Sequence, residues 1–123
     1  TCIYYGTEIA MEGGFDPDCR RCMPWSQIDS GKYDDKIAKI KQLIKMRNEN
    51  VLCKDLEIKF IQDGKNNRFV HYQKVGKDGI LDVRLNCSDE VESLAINDEI
   101  LFSHLYEDGK LLPGGVIISS GKK

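Results

Sequence analysis

The chain has 123 residues, with 18 Lys and Arg against 20 Asp and Glu and a formal charge of -2. That length suits one domain and excludes a complete large enzyme, while 41% hydrophobic and 31% charged residues exclude a disordered or collagen-like chain. The near-neutral balance argues against nucleic acid as a partner, and no apolar run approaches the ~18 residues a membrane helix needs.

Thr1-Cys2-Ile3-Tyr4-Tyr5-Gly6 reads as a short strand closed by glycine. Its apolar residues do not alternate with polar ones, which marks a strand buried on both faces in a parallel sheet. A chain that opens inside such a strand reads as a piece of a larger protein. Residues 7–31 form a long irregular segment that carries Phe15, Met23, Trp25 and two prolines, and loops longer than ~12–15 residues are usually functional. Tyr33 to Asn48 is the clearest helix. Tyr33, Ile37, Ile40, Leu43 and Ile44 make its apolar stripe, Asp34 and Asp35 open it, and Lys45 and Arg47 close it. Lys36, Lys39 and Lys41 read as its solvated face.

Beyond about Val51 the pattern switches to alternation. Strands are expected at Leu56–Ile61, Arg68–Val75, Ile80–Leu85, Val91–Ile96, Glu99–His104 and Val116–Ser119. Turns are expected at Gln62–Asn67, Gly76–Gly79, Asn86–Asp89, Asp108-Gly109 and Pro113-Gly114-Gly115. Strands at this spacing imply an antiparallel sandwich or barrel, in which Phe60, Phe69, Tyr72, Phe102 and Tyr106 fall at core positions. The chain therefore divides into an α/β piece, residues 1–50, and an all-β module, residues 51–123.

Five cysteines, an odd count, point to a reducing, cytoplasmic protein rather than a disulfide scaffold. Cys19-Arg20-Arg21-Cys22 supplies only two of the four ligands a zinc site needs and lies too far from a strand for a thioredoxin motif, so no metal or cofactor is expected. His71 and His104 read as structural. Glu8, Glu12, Asp16 and Asp18 make an acidic group with two readings beyond a merely solvated loop. One is a glycosidase carboxylate pair; the other is a polar clamp in which Asp16-Pro17-Asp18 and the following Arg20 offer carboxylate and guanidinium to hydroxyl groups.

Several of these segments resemble one family. Ile3-Tyr4-Tyr5-Gly6-Thr7-Glu8-Ile9 is similar to the eighth-strand motif of the α-amylase family of glycoside hydrolases. Gly13-Gly14-Phe15-Asp16-Pro17-Asp18-Cys19-Arg20-Arg21, followed by Met23-Pro24-Trp25, resembles the next loop in the neopullulanase, cyclomaltodextrinase and maltogenic amylase branch. Cys22 departs from the proline of many relatives. Leu43–Asn50 resembles the last barrel helix, and Leu81–Asp89 a strand and turn of the terminal β-sandwich.

The resemblance implies a Greek-key β-sandwich preceded by the last strand, loop and helix of a (β/α)8 barrel. It implies a parent that cleaves α-glucosidic bonds with retention, with its catalytic carboxylates on earlier strands, so none is expected here. It assigns Asp16 and Arg20 to glucose hydroxyls, makes Glu8 a structural carboxylate, and gives as partners an α-glucan and the rest of the barrel. Without that barrel, the opening strand and the Asp16–Trp25 loop are expected to be disordered or packed on a second copy. The alternative is an autonomous carbohydrate-binding or interaction module.

Overall fold

The computed structural model describes residues 2–54, 57–62 and 68–122, in two units, Thr1–Ile44 and Lys45–Lys123. In the first unit the opening segment is a correction: Cys2, Ile3 and Tyr4 lie in no strand and are exposed. A strand exists only where a neighbour takes its N–H and C=O groups, and no described strand lies beside this one. The chain instead turns at Gly6, whose φ of 85° favours glycine and whose place leaves no room for a Cβ against Met11. Two 3-10 turns (Thr7–Ile9 and Asp18–Arg20) and a short helix, α1 (Trp25–Asp29), follow.

The long helix, α2, spans Asp34–Glu49, with both aspartates in its first turn and Arg47 in its last. Its apolar stripe is half-covered at most: Ile37, Ile40 and Leu43 are half-buried, and Ile44 is exposed. Periodicity selects which face of a helix seeks cover, not what covers it.

In the second unit Asn50 caps a 3-10 turn, Val51–Cys53, by accepting the Leu52 N–H at 2.9 Å. Leu52 and Cys53 are buried against the sheet. Among the described residues six antiparallel strands follow: β1 (Ile58–Phe60), β2 (Phe69–Val75), β3 (Ile80–Asn86), β4 (Glu92–Ser93), β5 (Glu99–Glu107) and β6 (Lys110–Gly121). The expected antiparallel architecture is present, as one hydrogen-bonded sheet. The turn expected at Gln62–Asn67 falls largely on 63–67, outside the described residues. Asp108 and Gly109, at φ of 48° and 70°, make the two-residue hairpin turn that this pair of residues favours.

β6 is far longer than expected, and Pro113-Gly114-Gly115 is a bulge inside it rather than a turn between strands. Leu111 and Val116 face Tyr106 and His104 of β5, so the extra residues loop out of the ladder. Before the bulge β6 also pairs with β4, and after it with β3. A Cβ on Gly115 would stand 2.7 Å from the Leu112 carbonyl oxygen and 2.9 Å from that of Leu105. Gly115→Ala is expected to lower the melting temperature by several degrees, read by circular dichroism; an unchanged melt would show that the bulge relaxes freely.

Both faces of the sheet bury side chains. Leu81, Val83, Ile118 and Phe102 share one face by register. On the other, Phe69, Leu94, Leu111 and Ile117 cluster, with Ile96 and Tyr106 packed on them. Phe60, expected in the core, is 72% exposed on the edge strand β1, with its ring 6.0 Å from that of Tyr72. An edge strand has a neighbour on one side only, which leaves its side chains open.

Candidate functional site

The segment from Glu12 to Trp25 is folded by its own polar groups. Gly14 donates its N–H to Asp18 Oδ2 at 2.8 Å, and a Cβ at Gly14 would stand 2.9 Å from that oxygen. Asp18 also accepts Arg21 Nε at 2.6 Å on Oδ1 and the guanidinium's Nη2 at 2.5 Å on Oδ2, a two-pronged pair. The bond from Arg21, then that from Gly14, holds the Asp18 carboxyl below the usual carboxylate range, and the same pairing raises the Arg21 guanidinium. Tyr5 donates its O–H to the Arg21 carbonyl at 2.9 Å. Within this frame the Asp18 N–H bonds to the Phe15 carbonyl at 2.8 Å and the Arg20 N–H to that of Pro17 at 2.9 Å.

Asp16 and Arg20, the two residues assigned to hydroxyl binding, are brought together as an ion pair through Asp16 Oδ1 and Arg20 Nη2. Their side chains are 66% and 63% exposed, so both keep unused capacity facing outward. A carboxylate only accepts hydrogen bonds and a guanidinium only donates them, whereas a hydroxyl does both. An adjacent carboxylate and guanidinium therefore suit neighbouring hydroxyls of one sugar. The glycosidase-pair reading finds less support. Asp16 and Asp18 are each engaged by an arginine, and Asp18 is held more acidic, the opposite of what a general acid requires.

Glu12 lines a separate cleft of about 430 Å³, with Arg21, Lys36 and Tyr33 among its walls. Lys36 reaches the Ile9 carbonyl at 3.4 Å, and Lys32 and Tyr33 both bond to Gln27 Oε1, at 3.0 and 2.8 Å. Cys19 and Cys22 are exposed free thiols, and among the described residues no group of three His, Cys, Asp or Glu could hold a metal ion. The bracket of Asp18 on Arg21 and Gly14 was missed in the sequence, where only the three-residue spacing of opposite charges hinted at it.

The second polar cluster is in the sheet. His71, Gln73, Asp82 and Arg84 share one face of β2 and β3 by register. Asp82 Oδ2 lies 2.8 Å from His71 Nε2 and accepts Gln73 Nε2 at 2.8 Å, while Oδ1 lies 2.8 Å from Arg84 Nε. His71 and Asp82 are buried, so this is a structural network within the fold, as the strand position of His71 suggested.

No family model matches the chain. A cyclomaltodextrinase from Bacillus sp is 39% identical over 72 residues, 58% of this chain and 12% of that protein. A cyclomaltodextrinase from Geobacillus thermopakistaniensis is 33% identical over 94 residues, 76% of this chain and 16% of that protein. The crystal structure of a maltogenic amylase from S. marinus superposes with a TM-score of 0.70 at 27% identity, covering 98% of this chain and 17% of that one. The chain thus spans less than a fifth of the length of each of these relatives.

Proposed function

Because the chain belongs to the α-amylase family of glycoside hydrolases, in the cyclomaltodextrinase and maltogenic amylase branch, we propose that it serves as the C-terminal part of such an enzyme and forms one wall of its α-glucan site. The observation that carries this reading is the exposed Asp16–Arg20 pair, set on a loop whose shape is fixed by Asp18, Arg21 and Gly14. Binding groups preorganised in this way lose little freedom when a sugar arrives. In this reading residues 1–50 complete a (β/α)8 barrel and residues 51–123 form the terminal β-sandwich. The half-covered stripe of α2 and the exposed Ile3 and Tyr4 then face the rest of the barrel. The parent cleaves α-glucosidic bonds of maltooligosaccharides, cyclodextrins or pullulan in the cytoplasm. The chain itself is structural and inactive, since it contains none of the motifs that carry the family's catalytic carboxylates.

The purified 123-residue chain is expected to show no turnover of nitrophenyl maltosides. In the enzyme that contains this sequence, Asp16→Ala and Arg20→Ala are each expected to lower kcat/KM by about 10- to 100-fold with an unchanged melting temperature, the scale of one or two charged hydrogen bonds. Turnover by the isolated chain would overturn the structural role, and activity within twofold of wild type in both variants would overturn the site. A second reading, an autonomous carbohydrate-binding module, is favoured by one feature, the open Phe60 ring beside Tyr72. Sugar-induced shifts confined to those two residues would select it.

A further inference from the structure

Phe15 is 99% exposed, the most open of the large apolar side chains among the described residues. Open apolar rings are ordinary on mobile tails, but this one stands on the most cross-linked stretch of the loop. Its carbonyl takes the Asp18 N–H at 2.8 Å, Gly14 before it is tied to the Asp18 carboxylate at 2.8 Å, and Asp16 after it is tied to Arg20. Gly13 and Gly14 let the chain fold back closely: a Cβ on Gly13 would stand 3.2 Å from Cys19 Cα. The backbone thus presents residue 15 at the surface, next in sequence to Asp16, the carboxylate paired with the Arg20 guanidinium.

That combination has a chemical counterpart. A pyranose ring carries hydroxyls around its rim and C–H groups on its faces, so it is polar at the edge and apolar above and below. A site that holds it supplies a few placed polar groups and an apolar surface. A phenylalanine ring is such a surface, with only two side-chain torsions to immobilise on binding. We propose that Phe15 is the stacking platform for the glucose ring whose hydroxyls meet Asp16 and Arg20, and so a determinant of which sugar the loop accepts. This rests on the α-glucan reading above. It adds a residue that makes no hydrogen bond to the sugar and selects for the flat apolar face of glucose units.

The test is a titration of the 123-residue chain with maltotriose up to tens of millimolar, followed by backbone amide NMR. Saturable shifts are expected at residues 14–20. Phe15→Ala is expected to weaken binding roughly 5- to 10-fold, the scale of the apolar area one sugar face covers, while Phe15→Trp retains or tightens it. The amide spectrum of each variant, unchanged outside residues 13–18, shows that the loop is still formed. If the wild-type chain binds and Asp16→Ala weakens it while Phe15→Ala does not, the platform is overturned and the α-glucan site stands. If the wild-type chain shows no saturable shift, or shifts only at Phe60 and Tyr72, the α-glucan reading of this loop falls and the platform with it. A Phe15→Ala variant that binds normally but melts lower in the full enzyme would assign the ring to packing against the barrel.

Discussion

Asn86→Asp is expected to cost the β unit about 3–5 kcal/mol, most of the stability a unit of this size holds. Asn86 is 1% exposed at the end of β3, and its amide is fully employed. Nδ2 donates to the carbonyls of Glu90 at 2.7 Å and Leu111 at 2.9 Å, and Oδ1 accepts the Ser88 N–H at 3.0 Å and its O–H at 2.6 Å. The substitution keeps shape and volume but turns two donors into acceptors. Two carbonyls, one of them that of the fully buried Leu111, then face a carboxylate in a site that is 1% exposed. The expected readout is a urea midpoint far below wild type at pH 7. The deficit should shrink as pH falls from neutral towards about 4 and level off below it, because burial among acceptors raises the carboxyl and a protonated aspartic acid restores one donor. A loss under 1 kcal/mol at pH 7, or a deficit independent of pH, would show that the site relaxes to admit water.

Asn86 also shows what the sequence reveals and what it hides. Asn86-Cys87-Ser88-Asp89 is legible as a turn because asparagine and serine bond to nearby backbone. That the same side chain reaches Leu111, on the strand alongside, is a long-range fact with no local trace. Asp108-Gly109 is legible for the opposite reason, since a two-residue hairpin contains all its own determinants. Pro113-Gly114-Gly115 is ambiguous. The same residues serve a turn or a bulge, and only the partner strand, with His104 and Tyr106 facing Val116 and Leu111, decides between them. The opening strand fails likewise: Ile3, Tyr4 and Tyr5 have strand character, but a strand is a relation between segments.

The candidate site follows the same division. Asp16 and Arg20 could be named from the loop motif, because a family resemblance carries residue identity through any local geometry. The supporting bracket could not, since Asp18 and Arg21 look like two more charges on a charged loop until the Gly14 N–H is seen to complete it. His71 could be judged structural from its strand, but its partners sit on two strands and were not foreseen.

The network around Asp82 makes stability depend on pH in a defined direction. Burial raises the Asp82 carboxyl, but hydrogen bonds from His71 and Gln73 and the charges of Arg84 and His71 outweigh it, and the group titrates below its ordinary value. A carboxylate only accepts, so the 2.8 Å bond between His71 Nε2 and Asp82 Oδ2 requires a proton on that nitrogen. Between the folded value and the unfolded one near 3.9, the unfolded chain binds more protons, so unfolding free energy rises with pH there. The contribution is complete above about pH 4 and is lost as pH falls through the folded value. Asp82→Asn keeps the volume and one acceptor but removes the charge that His71, Gln73 and Arg84 surround. It is expected to cost about 2–4 kcal/mol at neutral pH, and the difference from wild type should narrow in acid as the wild-type carboxylate is protonated. Exposed carboxylates such as Asp18 titrate alike in both proteins, so subtracting the two urea-derived profiles isolates Asp82. Parallel profiles below pH 4 would mean that the buried carboxylate is not what acid attacks, and a neutral-pH loss under 1 kcal/mol would mean that the network holds without its charge.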